Sequence, residues 1–309
     1  MQRFKIGKSI NASAIVTAAM LAAAWCASQH AARATIYVPR AAGLAAASSG
    51  AYASTNWSGY ADTANGGYAF NSVSATWTEP AVSTQSSSSY VAASFWVGLD
   101  GFNSSTVEQT GTQAVVGANG AVSYTAWYEL YPQVEVPVFN VNPGDQISAS
   151  VVYNSSANDY TFVIKDLTSH ASYTTTTVNQ QTLSAARSSA EWIVEAPEFG
   201  TSSGSYQLAT LANYGSFAFN SADASISGSR ISQSGSISGV TANNVASLNS
   251  ITLVDGKTFQ ALSTPSALSS TGSSFSTTYT PEPTSWVILA SSAAGCLWLW
   301  PRRVHRRCR

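Results

Sequence analysis

The sequence predicts an all-β protein, an antiparallel β-sandwich, and two observations lead to that prediction. Short segments alternate apolar and polar residues with a period of two, and turn-forming residues separate these segments. No segment shows sustained helical periodicity, and Ser and Thr abound where a helix would favour Ala, Leu, Glu and Lys. Strands joined by turns therefore account best for the middle of this 309-residue chain.

The first 34 residues have the pattern of a secretory signal peptide. Three basic residues precede an apolar run over residues 10–28, and a small-residue cleavage motif ends at Ala34. We expect cleavage after Ala34, and a transmembrane helix is the alternative. Residues 35–53 are small and rich in Ala and Ser, which predicts a short propeptide or linker before the folded domain.

The folded domain is predicted to span residues 54–280. Turn chemistry marks residues 142–145 and 154–158, and a Ser-rich loop is predicted over residues 86–89. The candidate strands include residues 73–77, 90–99, 121–131, 138–141, 146–153, 160–167, 190–195 and 216–220.

The C-terminal residues 281–309 resemble the PEP-CTERM sorting signal of Gram-negative bacteria. Pro281 opens a Pro-Glu-Pro motif, an apolar run covers residues 286–300, and five Arg residues follow. The resemblance implies recognition by an exosortase-type processing enzyme, transient association with the inner membrane, and delivery to the cell surface or the extracellular space. An ordinary C-terminal anchor is the alternative, although the run is short for a permanent span of about 20 residues.

Removing both ends leaves a strongly acidic domain. Residues 35–280 contain 14 acidic residues against five basic ones, a net charge near −9. Phosphate binding needs a basic patch, so nucleic acid is excluded as an expected partner. Protonating the carboxylates would leave a net charge of only about +5 and little self-repulsion in acid. All three Cys residues lie outside this part, so its stability must come from a hydrophobic core.

The same residues 35–280 contain a restricted set of catalytic groups. They have no Cys and no Met, and their single His, His170, lies in a loop-like stretch. Thiol chemistry, a serine triad and a zinc site are therefore disfavoured, and no pair of Asp-Thr/Ser-Gly loops supports an aspartic protease. We expect neither a metal nor a cofactor. Any enzyme activity must rest on carboxylates and amides, which stand out in residues 108–111 and 190–193.

Alternation sorts the side chains of two candidate strands by face. In residues 121–131, Glu129 lies between Trp127 and Tyr131 on one face, which indicates either a solvated carboxylate or a sugar- or peptide-binding groove. Glu191 shares a face with Ile193 and Glu195. The apolar positions beside it should raise its pKa, and a raised pKa suits proton transfer in acid. Trp96 and Asp100 also share a face, but Asp-Gly is an ordinary turn signal.

Five motifs in this order resemble the glutamic peptidases, also called eqolisins, over roughly residues 56–279. They are Asn56-Trp57-Ser58-Gly59-Tyr60, Trp96-Val97-Gly98-Leu99-Asp100-Gly101, Gln109-Thr110-Gly111, Ala126-Trp127-Tyr128-Glu129 with Tyr131-Pro132, and Ala190-Glu191-Trp192-Ile193-Val194-Glu195.

The resemblance implies two antiparallel sheets packed as a concanavalin A-like (jelly-roll) sandwich, with a catalytic pair on its concave face. That pair is Gln109 and Glu191: the carboxylate would activate water, and the amide would stabilise the oxyanion. The implied substrates are proteins or peptides, cleaved in acid by a monomeric enzyme. Thr125 departs from members that carry an acid there. The residues implied to bind substrate or support the pair are Trp96, Asp100, Trp127, Glu129 and Tyr131.

Two other functions remain open at the level of sequence. A glycoside hydrolase on a similar sandwich could use Glu129 and Glu191 as its carboxylate pair. A non-catalytic, lectin-like surface protein would instead use exposed aromatic side chains to bind glycan. A peptidase would cleave protein, a glycoside hydrolase would cleave glycan, and a lectin-like protein would bind glycan without cleaving it.

Overall fold

The computed structural model describes residues 50–83, 90–117, 119–178, 185–200, 206–228 and 232–281. The predicted signal peptide, the apolar run over residues 286–300 and the loop over residues 86–89 lie outside these ranges. Within these ranges, no helix combines the length and the apolar character that a membrane crossing requires.

The described ranges fold into strands and one short helix. In chain order the elements are β1 (Gly50–Ser54), β2 (Trp57–Ala64), β3 (Ala69–Thr78), β4 (Val91–Leu99), β5 (Val107–Val116), β6 (Val122–Tyr131), β7 (Val136–Asn140), β8 (Gln146–Asn154), β9 (Asp159–Asp166), β10 (Ser172–Val178), β11 (Ser189–Glu195), β12 (Glu198–Gly200), β13 (Tyr206–Leu208), β14 (Thr210–Leu211), β15 (Ser216–Ser227), β16 (Ser232–Ser236), α1 (Ile237–Ala242), β17 (Ala246–Val254), β18 (Ala261–Pro265) and β19 (Phe275–Tyr279).

Each predicted strand coincides with an observed one, and the turns predicted at residues 142–145 and 154–158 separate β7, β8 and β9. The largest difference in length is at β15, which continues to Ser227. The prediction missed β5 because its polar residues do not alternate with apolar ones, although nearly all of them are buried. It also missed β1, β2, β10, the short strands β12 to β14 and the strands after β15.

Seventeen strands hydrogen-bond into one nearly closed and mostly antiparallel sheet. One run, here called the site ladder, has the order β7-β6-β5-β4-β11-β2-β17-β1, and its last pair is parallel. A second run, the second ladder, has the order β10-β9-β8-β3-β15-β16. β15 also pairs with β19 through its first residues, which connects the two runs.

Side chains from both ladders meet in the main hydrophobic core. Phe95 of the site ladder stacks on Phe217 with ring centroids 4.5 Å apart, and Trp77 of the second ladder packs edge-on against Phe219 at 5.7 Å. Burial of such aromatic rings contributes much of the stability of a domain without disulfides. Because Phe95 faces this core, its neighbour Trp96 must face the opposite surface of the site ladder.

That opposite surface, here called the site face, carries its own apolar cluster. The cluster includes Trp57, Trp96, Trp127 and Ile193, which are all at most 2% exposed. The central strands of the site ladder are therefore covered on both sides. Polar residues in these strands are buried whichever way they point, and that burial affects the chemistry of their side chains.

Candidate active site

Four residues from adjacent strands form one row across the site ladder. Glu191 of β11 is opposite Gly98 of β4, Gly98 is opposite Gln109 of β5, and Gln109 is opposite Glu129 of β6. Residues directly opposite one another share a face of the sheet. Gln109 and Glu191 thus lie on the site face, with backbones two strand spacings apart, roughly 10 Å.

Gly98 lies between Glu191 and Gln109 in this row and carries no side chain on the site face. A Cβ atom at this position would lie 3.0 Å from Trp96 Cζ3, 3.1 Å from Gln109 Cβ and 3.2 Å from the Glu108 carbonyl oxygen. Those separations are shorter than ordinary van der Waals contact, so a side chain here would displace its neighbours. The absence of one leaves space for the Trp96 ring, which lies over Gly98 on the site face.

The carboxyl group of Glu191 is completely buried. Neither oxygen makes a hydrogen bond of good geometry with any residue that the structure describes. Burial raises the pKa of Glu191 well above its ordinary value, and the negative charges of Asp100 and Glu108 raise it further. The Ser189 hydroxyl and the Phe102 amide lie close enough to lower that pKa, but they do not outweigh desolvation.

Gln109 is held by a hydrogen bond to its cross-strand neighbour. Its Nε2 donates to Glu129 Oε2 at 2.5 Å, and both residues are 1% exposed. Gln109 Oε1 and Glu129 Oε1 have no partner among the described residues. Burial raises the pKa of Glu129 well above its usual range, the nearby carboxyls of Glu135 and Glu195 raise it further, and the Gln109 amide opposes the shift.

Two tryptophans and a third carboxyl complete the site face. Trp96 donates its indole N–H to Glu195 Oε2 at 2.8 Å and meets Trp57 edge-on at 4.9 Å. Trp127 lies in the same apolar cluster, and half-buried Tyr131 packs against its rim. The structure thus brings Trp96, Trp127 and Tyr131 to the face that carries the Gln109–Glu191 pair.

Asp100 supports this site from the end of β4. Its carboxylate accepts hydrogen bonds from the backbone N–H of Arg187 at 2.6 Å, and from the backbone N–H and hydroxyl of Ser188 at 2.8 and 2.9 Å. A φ of 68° at Asp100 turns the chain at this point. Because Ser189 begins β11, these bonds fix the start of the strand that carries Glu191.

Sequence reasoning did not assign a role to Glu135 or Glu195. Burial raises the pKa of each to about 8, and Glu195 also accepts an amide N–H from Asn56 at 3.2 Å. Alternation along residues 190–195 already placed Glu195 on the face of Glu191, which was the available signal. Glu135 precedes β7 and could be placed beside Glu129 only once β6 and β7 were paired.

Across the described ranges, no group of three or more His, Cys, Asp and Glu residues is arranged to hold a metal ion. His170 is exposed in the turn between β9 and β10, as the sequence predicted. Glu129 and Glu191 are three strands apart with the Gln109 side chain between them, which does not match the facing carboxylates of a glycoside hydrolase.

The row therefore places a buried carboxyl group and a buried primary amide on either side of Gly98, beside an apolar cluster. A carboxylate can take a proton from water and return it to a leaving group, and an amide N–H can stabilise an oxyanion. Buried groups act more strongly than the same groups in water. Groups of these two kinds are what direct, water-mediated hydrolysis of an acyl compound requires.

Comparison with known proteins identifies the class of hydrolase. Residues 55–262 match the model of the Peptidase A4 family. The chain is 31% identical over 201 residues to aspergillopepsin-2 of Aspergillus niger, which covers 59% of this chain and 68% of that protein. It is 34% identical over 139 residues to scytalidopepsin B of Scytalidium lignicola, which covers 44% of this chain and half of that protein.

A solved structure of a glutamic peptidase also resembles this chain. The crystal structure of scytalido-glutamic peptidase with a peptide-based transition state analogue superposes with a TM-score of 0.57 at 25% identity, and covers 73% of this chain and 98% of that one. The chain belongs to the Peptidase A4 family, the glutamic peptidases or eqolisins. It is a glutamic-type peptidase, and membership implies protein or peptide substrates.

Proposed function

We propose that this protein is an acid endopeptidase in which Glu191 activates water and Gln109 stabilises the oxyanion. The observation that carries the proposal is the row in which Glu191 and Gln109 flank Gly98 on one face. In this proposal the attacking water and the scissile carbonyl would lie between these two side chains over Gly98, in a space here called the gap above Gly98. Water would then attack directly, with no covalent enzyme intermediate.

The proton would pass through Glu191 in both directions. As a carboxylate, Glu191 takes a proton from water while the water oxygen bonds to the carbonyl carbon. It then returns that proton to the amine nitrogen as the peptide bond breaks. Burial makes Glu191 a stronger base than an exposed Glu, and it also favours the neutral form in acid. Water and substrate entering the gap would offer the hydrogen bonds that favour its ionised form.

The surrounding side chains would bind and orient the peptide. Trp96, Trp127 and Tyr131 supply flat apolar surface beside the gap, and Trp96 is held in place by Glu195. Asp100 holds the start of β11 and thereby the position of Glu191. A relative solved with a peptide-based transition state analogue supports a peptide as the occupant of this face.

The finer architecture and the destination of the protein are also proposals. The site ladder and the second ladder would form the two sheets of a concanavalin A-like sandwich, since both contribute to one core. Residues 1–34 would direct export from a Gram-negative bacterium. Residues 281–309 would be processed by an exosortase after transient membrane association, which would release a monomer to the cell surface or medium.

The decisive experiment is a digestion assay with three forms of the purified protein. The parent should degrade denatured protein at about pH 3–4, provided that water and substrate in the site bring the raised pKa of Glu191 back toward that of an ordinary Glu, roughly 4.3. Glu191→Gln should abolish activity while circular dichroism shows an unchanged fold. Gln109→Ala should lower the rate about 100- to 1,000-fold, the usual effect of losing one oxyanion donor. Full activity of Glu191→Gln would overturn the mechanism.

A further inference from the structure

The hydrogen bond between Gln109 and Glu129 determines where the Gln109 amide points. Gln109 Nε2 donates to Glu129 Oε2 at 2.5 Å, so that bond directs the nitrogen toward β6 and away from Glu191. The carbonyl oxygen, Gln109 Oε1, has no partner among the described residues. An oxyanion requires a donor and not an acceptor, so this orientation presents the less useful end of the amide to the gap.

The protonation state of Glu129 decides which end of the amide faces it. An ionised carboxylate only accepts hydrogen bonds, and it therefore draws the Gln109 NH₂ group toward itself. A protonated carboxyl also carries an O–H donor, which can bond to the carbonyl oxygen of Gln109 instead. Rotation of the amide about its last side-chain bond exchanges the two arrangements, because its two ends are similar in size.

We propose that Glu129 is a positioning residue that switches the oxyanion site on in acid. When protonated, Glu129 donates to Gln109 Oε1 and the Gln109 NH₂ group turns toward the gap above Gly98. When Glu129 ionises, it recaptures the NH₂ group and the oxyanion site loses its donor. This inference rests on the proposed function of Gln109 and adds to it a device that couples activity to pH.

The surroundings of Glu129 favour the protonated state over a wide range. The charged groups that face it are the carboxyls of Glu135, next to β7, and Glu195, at the end of β11. Arg187 is engaged elsewhere, by Phe70 and Asn71 and over the Tyr153 ring, and the described lysines are exposed on distant turns and strands. An uncompensated, buried carboxyl with carboxyl neighbours resists ionisation.

A pair of substitutions separates the switch from a merely structural role. In Glu129→Gln, the new amide can donate to Gln109 Oε1 at every pH, as protonated Glu129 does. We expect the alkaline limb of the kcat profile to move to higher pH, and kcat in acid to fall less than it does in Glu129→Leu. In Glu129→Leu no donor remains, and kcat should fall roughly 100-fold at every pH, the usual cost of a misplaced catalytic group.

The comparison is made with a protein substrate over the pH range in which circular dichroism shows each variant folded. An alkaline limb of Glu129→Gln that coincides with that of the parent would overturn the switch. So would a loss of kcat in Glu129→Gln as large as in Glu129→Leu, because the carboxylate itself would then be required.

A direct measurement does not depend on either variant folding. The side-chain amide signals of Gln109 can be followed by NMR in Glu191→Gln, which should not digest itself. We expect them to shift with pH together with the Glu129 carboxyl carbon, and a Gln109 amide insensitive to that titration would overturn the proposal. Failure of the proposed function would give a different result, since Glu191→Gln would then digest protein as well as the parent does.

Discussion

Glu191 and Gln109 are held on one face of the sheet by a single intervening residue, Gly98, which is directly opposite both. The two flanking strands carry long side chains at this level of the sheet, and the middle strand carries none. The space between Glu191 and Gln109 therefore depends on the size of residue 98. It also depends on the close approach of Trp96 and Gln109 to that position.

Replacing Gly98 by Ala should lower kcat by less than the roughly 100-fold that a 1 Å misplacement can cost, because its neighbours must move by only a few tenths of an ångström. The added methyl group would press on Trp96 Cζ3 and Gln109 Cβ, at 3.0 and 3.1 Å. Gly66→Ala is the matched control, since a Cβ there meets nothing within 4 Å. Steady-state kinetics of both variants test this, and an unimpaired Gly98→Ala would contradict the geometry.

The protein should be most stable in acid and lose stability as the pH rises toward 8. Burial raises the pKa of Glu79, Glu135 and Glu195 to about 8. Between their ordinary pKa and that value, the folded state binds more protons than the unfolded state, so the free energy of unfolding falls with rising pH. Thermal unfolding measured from pH 3 to 9 should show the melting temperature declining from about pH 4.5 upward.

Glu79→Gln provides a matched test of that decline. Glu79 lies away from the site face, with Trp77 Nε1 at 3.4 Å from its Oε2, and it is 1% exposed. An amide is neutral at every pH, so the variant should lose less stability than the parent between pH 6 and 8. Equal slopes of melting temperature against pH in both proteins would contradict the assignment of Glu79 as a titrating group.

Ser189→Ala should move the acid limb of the kcat/KM profile to higher pH. The Ser189 hydroxyl lowers the pKa of Glu191, so its removal leaves the carboxyl harder to ionise. Ser58→Ala is the control, because Ser58 is also fully buried and its hydroxyl likewise makes no hydrogen bond with a described residue. A pH profile displaced equally by both substitutions would show that Ser189 acts only through packing.

Asp100→Ala should destabilise the fold by about 1–3 kcal/mol, the cost of leaving buried backbone donors unpaired. The N–H groups of Arg187 and Ser188 would lose their acceptor, and the start of β11 would become less ordered. Urea unfolding measures the loss, and Asp100→Asn, which keeps one acceptor oxygen, should lose less. A stability equal to that of the parent would mean that Asp100 does not hold this loop.

Part of the site could be predicted from local patterns. Alternation along residues 190–195 placed Glu191 and Glu195 on one face, and the register of β11 with β4 agrees. The same argument placed Trp127 and Glu129 together on β6. Both segments obey the two-residue period because their opposite face packs into the main core.

The strand that carries Gln109 could not be predicted in this way. β5 has buried polar residues on both faces, including Glu108 toward the core and Gln109 toward the site. Burial of that kind breaks the pattern on which strand prediction depends, and such violations concentrate at functional sites. The restricted set of catalytic groups pointed to residues 108–111, and the resemblance to glutamic peptidases then singled out Gln109 among them.

The sequence by itself determined the class of fold, the acidic charge of the domain and the restriction of its chemistry to carboxyls and amides. Those properties follow from composition and from periodicity over a few residues. Only the tertiary structure decided that Gly98 separates Glu191 from Gln109, and that Glu135 joins Glu129 and Glu195. Neighbours across a sheet are set by the register of strands distant in the chain, and register depends on how all of them pack at once.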